Sequence, residues 1–399
     1  MSPEGNPDYL LSAAAVRERC AIVFAAAERG ETRHFRLHID RLDEAVERAV
    51  AVTRRRYPDL DVPFHSRWRH FSTDGIDRST LVAPEADPAE RARARLDLAI
   101  VSVLLDAGSG PGWRYREAET GLITARSEGL AVASLRAMQD GLFSADAGNP
   151  SRADAAALAA ITPERLGAAF QHGPANPLLG LDGRAALLRR LGEVIAGAPP
   201  VFGEPARLGH LYDYWLPQRN ELPAPDMLRL VLRAFGPIWP GRLALNGVPL
   251  GDCGRHSAVP GDKLVPFHKL SQWLTYSLIE PLAEAGFTVT DIDGLTGLAE
   301  YRNGGLFIDC GIIAPRDASL LQQRLDPFSE PVVEWRALTL ALLDRLTVRV
   351  RERLGKSAAE FPLAKVLEGG SWAAGREIAA ERRPDGSAPL LIVSDGTLF

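Results

Sequence analysis

The sequence predicts a mainly α-helical protein, a helical multi-lobe fold with a small β element. Three observations point there. Ala- and Arg-rich stretches with apolar residues at helical spacing fill most of the chain. Helix start and stop signals bracket many of those stretches. Strand-like runs are confined to four short segments.

Ser12 opens the first helix, which runs to Gly30 with Val16, Cys20 and Val23 at i, i+4, i+7 on one face. A second spans Arg41 to Tyr57, with Arg54, Arg55 and Arg56 in its last turn, where cations complement the helix dipole, and Pro58 as its stop. That placement makes the Arg run a solvated helix end rather than a nucleic-acid patch. Pro88 precedes a helix from Ala89 to Asp106 that ends at Gly108, and Ser127 caps another that ends near Gly141. Ala153–Ala160, Pro163–Phe170 and Gly183–Ile195 follow, the second started by Thr162-Pro163-Glu164 as cap, Pro at the first position and acid in the first turn. Asp226–Phe235, Lys269–Ala285 and Val332–Leu354 complete the helices. The strand signals are Phe35–Ile39, Phe287–Ile292, Leu306–Ile313 and Leu390–Val393. Turn-rich Ala145–Arg152 suggests a boundary between an N-terminal helical lobe, 1–150, and a helical domain with a small sheet, 151–399, unless the two form one continuous domain. Gly197–Pro205 is a second such stretch.

The chain has 399 residues, 46% hydrophobic and 24% charged, with a net charge of −5, which excludes intrinsic disorder and a global electrostatic grip on nucleic acid. Three dispersed cysteines, Cys20, Cys253 and Cys310, give neither a disulfide framework nor a zinc pattern. No signal-peptide pattern is found in Met1–Tyr9, and the longest apolar run, Ala99–Leu105, is too short to cross a bilayer. The expectation is a soluble cytoplasmic protein with no nucleic-acid or membrane partner; oligomeric state is not legible.

Four segments carry chemical potential. Pro63 to Phe71 places Arg67 and Arg69, His65 and His70, and aromatic residues within a few positions; arginine forks match phosphate or carboxylate oxygens, although a surface loop of snorkelling arginines reads equally well. Gly108-Ser109-Gly110 is mainly a helix C-cap and turn, lacking nucleotide-loop spacing. On a helix from Pro266 to Tyr276, Phe267, Leu270, Leu274 and Leu278 share an apolar stripe. Lys269, Gln272, Trp273 and Tyr276 share the neighbouring one at i, i+3, i+4, i+7. An amine, an amide and two aromatics suit a pocket wall; the competing reading is an amphipathic surface helix. In Leu295–Asp309, Glu300 follows an apolar run and Asp309 lies inside another, with Asn303-Gly304-Gly305 read as a turn, so that the two acids flank a hairpin. Acids beside apolar walls tend to be tuned for proton transfer, though either could instead partner an Arg. No HExxH, Cys/His cluster or GxSxG word is present, so neither a metal nor a cofactor is expected.

Together these segments resemble the uracil-catabolism protein 4 family. The matching pieces are Phe64–Phe71, Leu105–Gly108, Ser127–Ser134, Val265–Leu274, Glu300–Phe307, Gly369–Trp372 and Ser394–Thr397. That resemblance implies a place in a route from uracil to urea through a ribosylated intermediate. A weaker similarity, to the queuosine-salvage nucleotide N-glycosylases, rests on Phe267, Lys269 and Gln272, on Leu295, Thr296, Ala299, Glu300, Tyr301 and Arg302, on Ile161–Gly192, and on Glu334–Thr339, all in the same order. Two departures stand: Glu300 replaces Asp, and Asn303-Gly304-Gly305 follows Arg302 where that family has Val-Pro-Gln. This second resemblance implies a helical fold similar to DNA-glycosylase-like queuosine salvage proteins, and N-glycosidic hydrolysis of a small ribosylated or nucleotide substrate.

On that footing Glu300 would stabilise the positive charge developing on the sugar and orient water. Lys269 would serve the leaving group or a sugar phosphate, and Asp309 is the second carboxylate candidate. Phe267, His268, Gln272, Trp273, Tyr276, Tyr301 and Arg302 would contact substrate, and Arg67, Arg69 and His70 would hold a 5′-phosphate. The expected reaction is hydrolysis of ribosylurea, or its 5′-phosphate, to urea. The alternatives are a non-catalytic nucleotide-binding or scaffold protein of the same pathway and, with less support, an amidohydrolase-like ring opening.

Overall fold

The computed structural model describes residues 5–239 and 243–393. The longer helices in chain order are α1 (Ala13–Glu28), α2 (Leu42–Arg56), α3 (Pro88–Leu104), α4 (Arg126–Gln139), α5 (Leu181–Ala196), α6 (Ala224–Phe235), α7 (Lys269–Glu284), α8 (Tyr301–Asp309), α9 (Glu330–Leu354) and α10 (Trp372–Arg382). A π-helical turn, Leu367–Ser371, runs directly into α10. Among the described residues, strands are at most three residues long and pair only two by two.

Local sequence explains most of these limits. The Ser12 hydroxyl accepts from the Ala15 N–H and starts α1. Asp87 caps α3 ahead of Pro88, and Thr162 caps the short Pro163–Ala169 helix. At the end of α2, Arg55 pairs with Glu377 and Arg56 with Glu368 at 3.2 Å, while Arg54 donates to the Arg353 carbonyl, so the Arg run is engaged within this protein. Ser127 departs from expectation. It lies inside the first turn of α4, after the extended Ala125, and its hydroxyl donates to Asp106.

The larger departure is at Leu306–Ile313. Tyr301–Asp309 is a helix, and only Ile313–Pro315 is a strand, pairing antiparallel with Phe35–Leu37. Asn303-Gly304-Gly305 is therefore helix interior and not a turn, and Glu300 and Asp309 stand at opposite ends of α8, roughly 13 Å apart along its axis. Gly304 serves packing: the Trp335 ring of α9 lies where a Cβ would project. The apolar run Leu306-Phe307-Ile308 is buried, and a short buried run has no periodicity that separates strand from helix. Val289–Thr290 and Leu391–Ile392 keep strand character in two residues each, paired in parallel with Leu222–Pro223 and Arg324–Leu325.

The chain forms two compact, discontinuous units. The first holds residues 5–65, 243–272 and 291–393; the second holds 66–239 and 273–290. In the first, α9 packs on α1 and α2, and α8 packs on α10. In the second, α3 packs on α4, and α5 packs on Ala155–Ala159. The first turn of α7 belongs to the first unit and its remainder to the second.

Candidate functional site

In the first unit, the antiparallel strands Cys253–Arg255 and Leu264–Pro266 deliver the chain to the start of α7. Asp252 organises that start. Its carbonyl accepts from the N–H groups of Phe267 at 2.9 Å and His268 at 3.2 Å, and its carboxylate accepts from the Lys269 N–H at 3.0 Å. His268 is forced into the left-handed region, φ 51°, and is fully buried, with Nε2 donating to the Leu10 carbonyl at 2.8 Å. Burial pushes its pKa down, partly opposed by that hydrogen bond and by Asp252. A non-glycine residue held in this region costs about 1–3 kcal/mol and persists only where its surroundings enforce it, as often happens at functional sites.

Arg336, from α9, ties this turn to the segment that carries Glu300. Its guanidinium grips the Asp252 carboxylate with two bonds of 2.7 Å, stacks 4.0 Å from the Phe267 ring centroid, and donates from Nε to the Ala299 carbonyl at 3.2 Å. Burial alone would raise the Asp252 carboxyl, but the charge and hydrogen bonds of Arg336 hold it down at about 2, helped by the Lys269 N–H. A second tie is direct: the Thr296 N–H donates to Gln272 Oε1 at 3.3 Å. With its oxygen so used, Gln272 leaves its fully buried Nε2 with no acceptor among the described residues.

Glu300 is the N-cap of α8. Its carboxylate accepts from the N–H groups of Arg302 at 2.8 Å and Asn303 at 2.6 Å, which fixes its direction. Asn303 is locked in turn, donating to the Leu298 carbonyl and accepting from the Ser371 hydroxyl at 2.8 Å. The Arg302 guanidinium lies 4.9 Å from the ring centroid of the exposed Tyr301 and donates to the Gly386 carbonyl. Asp309 makes a two-bond pair with Arg383, 2.8 and 2.6 Å, which places it in a structural contact.

The remaining candidates lie in the second unit. Arg67 is fully buried. It donates to the Ser102 hydroxyl at 2.7 Å and pairs with Asp106 at 2.8 Å, and burial lowers its pKa against the opposing pull of Asp106. Arg69 pairs with Glu280 at 2.5 Å. The guanidinium charges proposed for a phosphate are thus already countered by carboxylates. His70 meets Trp273 edge-on at 5.6 Å, Arg67 lies 5.7 Å from the same ring, and Tyr276 is fully buried. Glu300, Lys269, Gln272, Phe267 and His268 therefore share the first unit, while Arg67, Arg69, His70, Trp273 and Tyr276 share the second.

Sequence reasoning missed Asp252 and the organising role of Arg336. They are 84 positions apart, and no spacing rule links them. It named His65 without a role and missed Glu368, with which His65 pairs at 2.8 Å in the first unit. Among the described residues no three His, Cys, Asp or Glu side chains gather as metal ligands would, and no helix is long and apolar enough to cross a membrane.

Comparison with known proteins places the chain in a family. The family model described as "Protein of unknown function (DUF1688)" matches residues 9–399. "Protein urg3" of Schizosaccharomyces pombe is 39% identical over 98% of both chains. "Uracil catabolism protein 4" of Lachancea kluyveri is 35% identical over the full length of both. The chain belongs to this family.

Proposed function

We propose that this member of the family acts in uracil catabolism, hydrolysing the N-glycosidic bond of ribosylurea, or of its 5′-phosphate, to release urea. The relative named for uracil catabolism supports the pathway, and the weaker likeness to queuosine-salvage N-glycosylases supports the bond. The observation that carries the reading is the double tie, through Arg336 and through Gln272, between the first turn of α7 and the segment ending in Glu300. These are the sequence words that the glycosylase resemblance singled out, and in the folded chain they are neighbours.

In this reading Glu300 is the carboxylate beside the sugar. Cleavage builds positive charge on the ring, and a carboxylate already oriented by two N–H groups stabilises that charge without reorganising. Gln272 Nε2 donates to the carbonyl oxygen of the leaving ureido group, and the Lys269 ammonium serves the leaving group or a 5′-phosphate. The substrate is a small cytoplasmic ribosylated molecule.

One observation favours a second reading. Both Glu300 oxygens are engaged as a helix cap, as a purely structural acid would be, so a nucleotide-binding or scaffold protein of the same pathway is the alternative. Proton NMR of the purified protein with ribosylurea separates the two. Hydrolysis yields free ribose and urea one for one; substrate that binds and stays intact selects the alternative.

A further inference from the structure

The second unit holds a cavity of about 540 Å³, within the size range of small-molecule sites, and it shares no residue with the site around Glu300. Glu90 and Arg93 of α3 line it, and the fully buried Asp97 follows on the same helix face. Arg207, also in the lining, joins this face. Its Nε donates to Asp97 at 2.7 Å and its Nη1 to Glu90 at 2.6 Å. Its Nη2 is buried and meets no acceptor among the described residues, and the same holds for Nε of Arg152, another lining residue. An unmet buried donor is costly, and a ligand oxygen removes that cost.

His210 has the opposite need. Its Nδ1 donates to the Phe202 carbonyl at 2.6 Å, so in the neutral ring Nε2 is an acceptor, and none of the described residues donates to it. Gly203 makes this placement possible: its φ is 70°, and the His210 ring stands where a Cβ would be. Glu204, exposed in the same lining, makes no ion pair among the described residues. Pro199, Pro200, Val201 and the exposed Tyr214 ring add apolar surface that suits the faces of a flat ring.

Charge decides what kind of molecule fits. Arg207 faces Asp97 and Glu90, Arg93 grips Asp213 with bonds of 2.8 and 2.6 Å, and Arg152 pairs with Asp146 at 3.4 Å. With Glu204 added, carboxylates outnumber guanidiniums, and a phosphate would meet repulsion that the arginines no longer offset. An uncharged molecule meets none. Carbonyl oxygens answer Arg207 Nη2 and Arg152 Nε, while hydroxyl and N–H groups answer His210 Nε2 and the carboxylates. We infer that this cavity binds an uncharged nucleoside, a flat base with carbonyl oxygens joined to an unphosphorylated sugar.

Calorimetry on the full chain tests this, with uridine as the probe and uridine 5′-monophosphate and free ribose beside it. Uridine should bind saturably, and the monophosphate and ribose each roughly tenfold or more weakly, the first through like-charge repulsion and the second through the missing base. Val201→Trp, which fills the apolar side of the cavity, should weaken uridine by roughly tenfold or more while melting close to wild type. On adding uridine to wild type, hydrogen exchange should slow in peptides spanning residues 199–214, a readout that needs no variant. No saturable uridine binding, a monophosphate or ribose that binds as tightly, a folded Val201→Trp that binds normally, or protection confined to other parts of the chain overturns the inference. Urea release plays no part in these outcomes, so the reaction assigned to Glu300 stands or falls separately.

Discussion

Arg336→Met is the most informative single perturbation of the frame. It removes the partner of a buried Asp252 carboxylate, the donor to the Ala299 carbonyl and the cation over Phe267, while keeping most of the side chain's volume. Leaving one member of a buried ion pair uncompensated costs about 3–5 kcal/mol, and the lost bond to Ala299 adds about 1 kcal/mol. Asp252→Asn should cost a similar amount, since it strands the guanidinium instead. The double variant strands neither charge, so its loss should fall short of the summed single losses by about 1–3 kcal/mol. Urea denaturation followed by tryptophan fluorescence gives all four stabilities. Single variants within about 0.5 kcal/mol of wild type, or strictly additive losses, would refute the view that this pair organises the site.

Other outcomes follow from the same geometry. The Asp252 carboxyl is held at about 2 against an ordinary value near 3.9, so it contributes about 2–3 kcal/mol above pH 4 that is lost as pH falls through 2; Asp252→Asn should lack that acid limb in its stability–pH curve. Gly304→Ala drives a methyl into the Trp335 ring and should lower stability by about 1–3 kcal/mol, read as a lower melting temperature. All three thiols are buried, and burial pushes each upward, Cys310 to about 12; none should react with an aromatic disulfide reagent until the protein is unfolded.

The helical class was legible because helix signals are local. Ser12, Asp87-Pro88 and Thr162-Pro163 act within one turn of themselves, and the structure shows the helices they start. The segment after Glu300 was misread because its meaning is not local. Asn303-Gly304-Gly305 looks like a turn until Trp335, about thirty positions on, supplies the ring that requires a glycine. The helical stripe shared by Lys269 and Gln272 and the apolar run before Glu300 brought these three residues forward, and the tertiary structure brings their segments together. What joins them could not be read from the chain. Asp252 and Arg336 are an ordinary acid and an ordinary base 84 positions apart. Arg67 and Arg69 mark the reverse case: their residue type suggested an anion site, and nearby carboxylates from Asp106 and Glu280 meet that charge instead.

Glu300 is proposed as the carboxylate of an N-ribosidase. Urea release from ribosylurea and from its 5′-phosphate should be measured with wild type and with Glu300→Gln, whose amide oxygen can still cap α8, so that loss of the cap costs no more than about 1 kcal/mol. Urea is expected from the wild type and none from a variant that remains folded. Urea at a near-normal rate from Glu300→Gln would contradict the assignment of Glu300, and no urea from wild type on either substrate would contradict the reaction itself.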